Sequence, residues 1–194
     1  PRRLLVPAVR DRVLQTAVAR RLSRSFEEEF LDTSFAYRPG RGVDRAVARV
    51  IQLRDRGFWH IVDADIRAFF DSVDHDLLLR LYREREPSGL FDELVRQWTK
   101  ALVWTGAALE PLRQGIPQGS PLSPLLANLF LSGLDEQIAR GGHHLVRYAD
   151  DFLILCESEE GARQAMALTE DWLASQKLEI HPEKTALRSF STGF

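Results

Sequence analysis

Three aspartates stand at the ends of apolar segments that have the length of β-strands. Asp65 follows one such run, and Asp150 and Asp151 form a turn between the runs 144–148 and 152–156. If these strands are neighbours in one sheet, the three carboxylates meet at the same edge. Carboxylates that close cannot all stay ionised without a cation, so the pattern predicts a cation site. The alternative is that aspartates favour turns and helix caps without any further role.

The chemistry of such a site follows from its ligands. Carboxylate oxygens suit Mg²⁺, which usually takes one or two protein carboxylates and completes its shell with water and phosphates. Two such ions about 4 Å apart would serve an in-line phosphoryl transfer. The three aspartates therefore predict a phosphoryl-transfer enzyme.

Hydrophobic periodicity predicts the elements that position these aspartates. Leu14, Val18 and Leu22 lie near one face of a first helix capped by Asp11, and a later helix is capped by Asp74. From residue 59 onward, the order of strands and helices predicts an α+β layer with helices packed on one face of an antiparallel sheet. The other expected elements are helices over 43–56, 90–102 and 160–175, a helix beginning at the cap Ser120, a hairpin over 103–112, and short strands near 178–181 and 186–190.

Composition is that of an ordinary folded domain. The 194 residues are 44% apolar and 28% charged, which excludes disorder and collagen. One cysteine excludes an internal disulfide and a cysteine zinc cage. No apolar run approaches the ~20 residues of a membrane span, and no leader pattern opens the chain, so we expect a cytoplasmic protein without a membrane partner.

Charge is distributed unevenly along the chain. Residues 1–56 hold 13 arginines and 7 acidic residues, a net charge of +6, whereas residues 57–194 carry −8. This asymmetry predicts a surface for phosphate backbones, with Arg41 and Arg45 among its residues, beside a site that collects cations. The alternative is that the arginines only solvate helix surfaces.

Three segments closely resemble motifs A, B and C of reverse transcriptases. They are Asp65-Ile66-Arg67-Ala68-Phe69-Phe70-Asp71, then the run from Gln114 to Pro124, then Tyr148-Ala149-Asp150-Asp151. Residues 6–15 and 35–40 resemble finger blocks of the bacterial, group II intron-like branch, and 178–185 resemble its motif D. Within that branch, the run 62–71 is most similar to reverse transcriptases attached to CRISPR adaptation modules.

The resemblance implies the fingers and palm of a right-handed polymerase. Residues 1–58 would form the N-terminal part of the fingers, and 59–194 the palm, with an inserted finger-side segment near 85–118. The palm would be the antiparallel sheet with helices on one face. The thumb of the family is expected to be absent.

The resemblance also assigns a metal site. Asp65, Asp150 and Asp151 would hold two Mg²⁺ ions, with Mn²⁺ as a substitute, and the Ile66 carbonyl would be available to the ion on the nucleotide side. Asp63 faces the same side of its strand as Asp65. Asp65 is preferred because it has the spacing to Phe70 that motif A requires.

Substrate-binding roles follow in the same way. The backbone amides of Arg67, Ala68, Phe69 and Phe70 would form a nest of donors for the triphosphate. The Phe70 ring would clash with a 2′-hydroxyl and so select deoxynucleotides; the alternative is that it is only a core residue.

Three further residues complete this set. Gln118, beside Gly119, would contact the nucleotide, and Arg2, with Arg3 as alternative, would grip the triphosphate. Lys184 would donate a proton to the leaving pyrophosphate, unless it is only a solvated turn lysine.

The expected function is therefore RNA-directed DNA synthesis. An RNA template, a DNA primer and deoxynucleoside triphosphates would be its substrates, and a CRISPR adaptation integrase, fused or bound, its partner in a prokaryotic cytoplasm. Two alternatives remain: a group II intron-encoded or free-standing bacterial reverse transcriptase, and a non-catalytic polymerase-like module that holds RNA or docks an integrase. An RNA polymerase of the same palm fold is disfavoured by Phe70.

Overall fold

The computed structural model describes residues 5–191. The helices and strands follow one another in the order α1 (Val9–Glu27), α2 (Val43–Asp55), β1 (His60–Asp65), α3 (Phe69–Ser72), α4 (His75–Arg85), α5 (Asp92–Thr99), β2 (Leu102–Trp104), β3 (Leu109–Pro111), α6 (Ser123–Arg140), β4 (His144–Tyr148), β5 (Asp151–Cys156), α7 (Glu159–Ser175) and β6 (Ala186–Ser189).

The chain divides into two compact units. One contains the residues through Glu29 together with Ala68–Phe130, and the other contains Phe30–Arg67 and the residues from Leu131 onward. We call them the helical unit and the sheet unit. The predicted division into fingers and palm at residue 58 stays a prediction.

The sheet unit is built on four antiparallel strands in the order β4-β5-β1-β6. This confirms the expected α+β class with an antiparallel sheet, but helices pack on both faces of the sheet rather than on one. Helix α7 packs on β1 and β5. Helix α2 packs on the face that carries Val146, Leu153 and Leu155, and alternation along β5 places this face opposite that of Cys156, which lies against the start of α7.

Helix α6 carries a long apolar stripe. Leu122, just before it, and Leu126, Leu129 and Leu134 within it are all buried. Gly133 lies where a Cβ would come within 3.0 Å of the Trp172 ring of α7, so glycine allows the two helices to approach closely.

In the helical unit, the predicted cap of one helix is confirmed and that of another is wrong. The Asp74 carboxylate caps α4 by accepting the amides of Asp76 and Leu77, each at 3.0 Å. Helix α1, however, begins at Val9 after Ala8, without a side-chain cap, and Asp11 lies in its first turn. Leu14 is 45% exposed, because the buried stripe of α1 passes through Gln15 instead.

Three other element boundaries differ from the sequence prediction. Helix α5 is shorter than 90–102, because Leu102 begins the first strand of the predicted hairpin. Ser120 accepts the Leu122 amide in a turn, and α6 begins three residues later. Near 178–181, only a single bridge joins Ile180 to Ile66.

Among residues 5–191, no helix combines the length and the apolar character that crossing a membrane requires.

Candidate active site

Two of the three acidic residues of the predicted site belong to neighbouring strands of the sheet unit. Asp65 ends β1, Asp151 begins β5, and the two are register partners across the antiparallel pair. Directly opposed residues in such a pair have Cβ atoms about 4.5–5.5 Å apart. The sequence expectation that Asp65 and Asp151 meet at one sheet edge is thus met by the backbone.

Asp150 lies in the tight turn between β4 and β5. Ala149, which precedes it, has φ 61° and is buried. A left-handed conformation is unfavourable for a residue with a Cβ, so the surrounding structure must hold this turn in place.

Basic side chains balance two of the carboxylates. The Lys184 ammonium forms an ion pair with Asp65 Oδ2, whose side chain is only 11% exposed. Asp63 instead pairs with Arg188, with Nε donating to Oδ2 at 2.9 Å.

The donor set fits a divalent cation. Within the described part of the chain, no group of three or more acidic, histidine or cysteine side chains forms a ready-made metal cluster. The two opposed carboxylates nevertheless match the one or two protein carboxylates that Mg²⁺ usually takes, and the third carboxylate lies next in sequence. The Lys184 ammonium beside Asp65 shows that this edge already attracts a positive charge.

Apart from Arg67, which belongs to the sheet unit, the described residues expected to contact the nucleotide lie in the helical unit. Gly115 joins two of their segments. The Gly115 amide donates to Val73 O at 2.7 Å, and the next amide, of Ile116, donates to Phe70 O at 2.6 Å. Gly115 has φ 90°, and a Cβ there would lie 2.7 Å from Phe70 O. Glycine is therefore required where the motif B segment crosses the backbone of Phe70.

His75 reinforces this junction from α4. Burial lowers the pKa of His75, which favours the neutral ring. Its Nε2 donates to the Gly115 carbonyl at 2.8 Å. This histidine has a structural role.

Phe70 itself is half-buried. Its ring packs edge-to-face on Phe69, with centroids 5.3 Å apart, and Phe69 contacts Phe130 in the same way at 6.1 Å. Phe69 is the core residue of the pair, which leaves part of the Phe70 ring accessible.

Gln118 and Gly119 lie beside the N-terminal segment of the same unit. The Leu5 amide donates to Gln118 O at 2.7 Å. Gly119 has φ 113°, and a Cβ there would come within 3.0 Å of Leu5 O. The Gln118 side chain is half-buried.

The Arg67 amide was expected to be the first donor of the nest that binds the triphosphate. The Arg67 amide donates to Glu179 O at 2.9 Å and so does not join the nest. Ala68 has φ 47°, a left-handed conformation of the kind that nests contain. Ile66 is buried at the end of β1, and Arg2 lies outside the described residues.

Comparison with known proteins decides the family. A family model described as reverse transcriptase (RNA-dependent DNA polymerase) matches residues 1–192. The chain belongs to the reverse transcriptase family. The predicted resemblance is therefore confirmed at the level of the family.

Two curated proteins illustrate where this reverse transcriptase lies among its relatives. Protein YkfC of Escherichia coli (strain K12) is 29% identical across 100% of this chain, which spans 61% of YkfC. The group II intron-encoded protein LtrA of Lactococcus lactis subsp. cremoris is 33% identical over 70% of this chain and 22% of LtrA. The chain thus spans under two thirds of the length of either relative.

Solved structures give the fold. Apo telomerase from Candida tropicalis superposes with a TM-score of 0.72 at 11% identity, covering 94% of this chain and 37% of that one. A chain of a Cas6-RT-Cas1–Cas2 complex is 30% identical over 89% of this chain and 31% of that one, with a TM-score of 0.49.

The reverse transcriptase chain also has a basic groove in its sheet unit. Arg41, Arg45 and Arg49 line it together with Asp32 and Gln52. Arg41 Nη2 donates to Asp32 Oδ1 at 2.5 Å and lowers the pKa of that carboxyl. Two of these arginines are those that the charge distribution singled out.

Sequence reasoning missed a buried ion pair of the reverse transcriptase. Arg147 on β4 and Asp135 on α6 are each 1% exposed and form two parallel hydrogen bonds of 2.7 Å. The available signal was a charged residue in the otherwise apolar stretch Leu145-Val146-Arg147 and an acid within the apolar helix α6.

Proposed function

We propose that this chain carries the catalytic residues of an RNA-directed DNA polymerase. The observation that carries the proposal is the register of Asp65 opposite Asp151, beside Asp150, in a chain of the reverse transcriptase family. This is the arrangement that in-line transfer of a nucleotidyl group needs.

The reaction joins a primer to a deoxynucleotide opposite an RNA template. The primer 3′-oxygen forms a bond to the α-phosphorus, the bond to the β-phosphate oxygen breaks, and pyrophosphate leaves. The hydroxyl proton passes to water. Asp65, Asp150 and Asp151, with the Ile66 carbonyl, would hold two Mg²⁺ ions, which lower the pKa of the attacking hydroxyl and offset charge on the phosphates when bound.

Lys184 has two roles in this proposal. Its ammonium neutralises Asp65 in the structure. During the reaction it would give a proton to the leaving pyrophosphate, which makes pyrophosphate a better leaving group.

Phe70, Gln118 and the amides of Ala68, Phe69 and Phe70 would bind the deoxynucleotide. The half-buried ring of Phe70 would exclude a 2′-hydroxyl by steric clash. The hydrogen bond from the Leu5 amide to the Gln118 carbonyl fixes the loop. From this loop the Gln118 side chain would contact the nucleotide.

The arginines of the basic groove would contact the phosphates of the template. Such contacts position the nucleic acid without reading its sequence. Similarity of residues 62–71 to CRISPR-associated reverse transcriptases supports a more specific setting, in which the enzyme copies RNA into spacers with an adaptation integrase as partner.

Primer extension by the intact protein tests the proposal. With an RNA template, a DNA primer and Mg²⁺, we expect deoxynucleotide addition that Asp151→Asn reduces to background, because the variant lacks a cation ligand. Asp63→Asn is the matched control, since Asp63 is an acid on the same face of β1 as Asp65 and is paired with Arg188. This variant should extend primers at nearly the rate of the unaltered protein.

Two results would overturn this assignment. An intact protein that binds the RNA–DNA hybrid but adds no nucleotide would be a non-catalytic RNA-binding module. Extension by Asp151→Asn at the rate of the unaltered protein would remove Asp151 from the reacting centre.

A further inference from the structure

The turn that carries Asp150 and leads into Asp151 is attached to a buried charge network. Arg147, two residues before the turn's first member, is the largest fully buried side chain of the described residues. Its Nε and Nη2 donate to the two oxygens of Asp135, each at 2.7 Å. The guanidinium is thereby fixed in plane and direction.

The third nitrogen of this guanidinium contacts the turn itself. Arg147 Nη1 donates to the Ala149 carbonyl at 3.0 Å, within the buried interior. Ala149 is the residue with φ 61°, and its carbonyl belongs to the peptide that leads into Asp150. A charge-assisted bond to this oxygen offsets the cost of a left-handed alanine.

The Arg147 backbone is held as firmly as its side chain. Its amide donates to Thr33 O at 2.8 Å, and its carbonyl accepts from the Phe35 amide at 2.9 Å. Buried Arg38 in turn donates to the carbonyls of Ser34 and Phe30 at 3.0 and 3.2 Å. The backbone of Arg147 is therefore held by contacts outside the turn.

A buried ion pair is poor evidence for stability, because desolvation of both charges offsets most of their attraction. Replacement of such a pair by apolar residues of similar size is often neutral or stabilising. The hydrogen bond from Arg147 to the Ala149 carbonyl is not replaced in this way, because an apolar side chain has no donor group.

We propose that the Asp135–Arg147 pair is a positioning device that sets the conformation of the Ala149–Asp150 turn, and with it the direction of the Asp150 and Asp151 carboxylates. Arg147 is the positioning residue, and Asp135 orients Arg147. The inference rests on the proposed function for its catalytic consequence, whereas its structural part concerns the turn alone.

The test replaces both charges together, as Arg147→Met/Asp135→Leu in the intact protein. The melting temperature should stay within a few degrees of the unaltered value, because the pair is exchanged for apolar packing. Deuterium exchange of the amides of 149–151 should become about tenfold faster, because the turn opens more often. The extension rate should fall about tenfold to a hundredfold, because the carboxylates are misplaced.

A control pair lies on the same helix. Arg140 and Glu136 form an exposed i,i+4 pair at 3.0 Å, next to Asp135 in sequence. Arg140→Gln/Glu136→Gln should leave turn exchange and extension unchanged. A second variant, Arg147→Lys, keeps the charge beside Asp135, but its ammonium cannot reach both Asp135 and the Ala149 carbonyl. Deuterium exchange at the turn should therefore be faster in this variant, which serves as the test if the double variant does not fold.

The outcomes separate the two proposals. Unchanged turn exchange in the folded variants would overturn the positioning role, whatever the protein catalyses. Accelerated exchange in a protein that never extends primers would support the positioning of the turn and contradict the proposed function.

Discussion

In the sheet unit, three aspartates, Asp63, Asp65 and Asp135, each pair with a cationic side chain suited to the burial of the carboxylate. Asp65 is nearly buried and takes the flexible ammonium of Lys184. Asp63 is more exposed and takes Arg188, whereas fully buried Asp135 takes a bidentate guanidinium. Only the Lys184 pair can be exchanged easily for another cation, since its ammonium is a single point charge on a flexible stem.

Phe70 is the residue at which sugar selection is tested. Phe70→Ala should raise the ratio of ribonucleotide to deoxynucleotide efficiency about tenfold or more, equivalent to about 1.4 kcal/mol, because the proposed steric barrier is the ring itself. Single-nucleotide extension with both substrates gives the ratio.

Phe70→Tyr serves as the matched variant, since it keeps the ring and should keep the discrimination. If the ratio for Phe70→Ala equals that of the unaltered protein, Phe70 is a packing residue beside Phe69 and nothing more.

At the scale of elements, the main strands of the sheet and the Asp74 cap could be predicted from the sequence, whereas contacts between distant segments could not. The apolar runs located β1, β4 and β5, and Asp74 caps its helix as predicted. The pairing of Lys184 with Asp65 depends on two residues 119 positions apart, which no local pattern records. The same holds for Arg147 and Asp135, because a charge in an apolar stretch indicates burial but does not identify its partner.

Gly115 connects two such distant segments, and its replacement gives a prediction about stability. Gly115→Ala should reduce the free energy of unfolding by more than the roughly 1–3 kcal/mol of a strained backbone, because its Cβ would also lie 2.7 Å from Phe70 O. Urea unfolding gives the value.

Gly106 provides the control for this clash. It has a similar φ of 94°, but a Cβ there would meet no atom within 4 Å. Gly106→Ala therefore carries the conformational cost alone. Equal losses for the two variants would mean that the loop at Gly115 moves aside, and that the close approach to Phe70 is not required.

At the scale of the whole molecule, a net charge of −2 conceals a basic first quarter and an acidic remainder. The basic residues are not all available for nucleic acid, since Arg38 is buried against backbone carbonyls. Arg41, Arg45 and Arg49, in contrast, line one groove. The distribution of charge could be predicted from the sequence. The fold was needed to identify the arginines that share one surface.

The salt dependence of template binding tests this surface. The double variant Arg41→Gln/Arg45→Gln removes two positive charges from the groove and should weaken binding to all RNA sequences alike. It should also reduce the slope of log K against log salt by about 2, because each arginine releases roughly one counterion on contact with a phosphate. Arg140→Gln/Arg163→Gln removes the same net charge from exposed pairs on α6 and α7. Its slope should match that of the unaltered protein, because these arginines lie outside the groove and only net charge has changed. If both double variants shift the slope equally, overall charge rather than the groove governs binding, and the arginines of the first 56 residues merely solvate the surface.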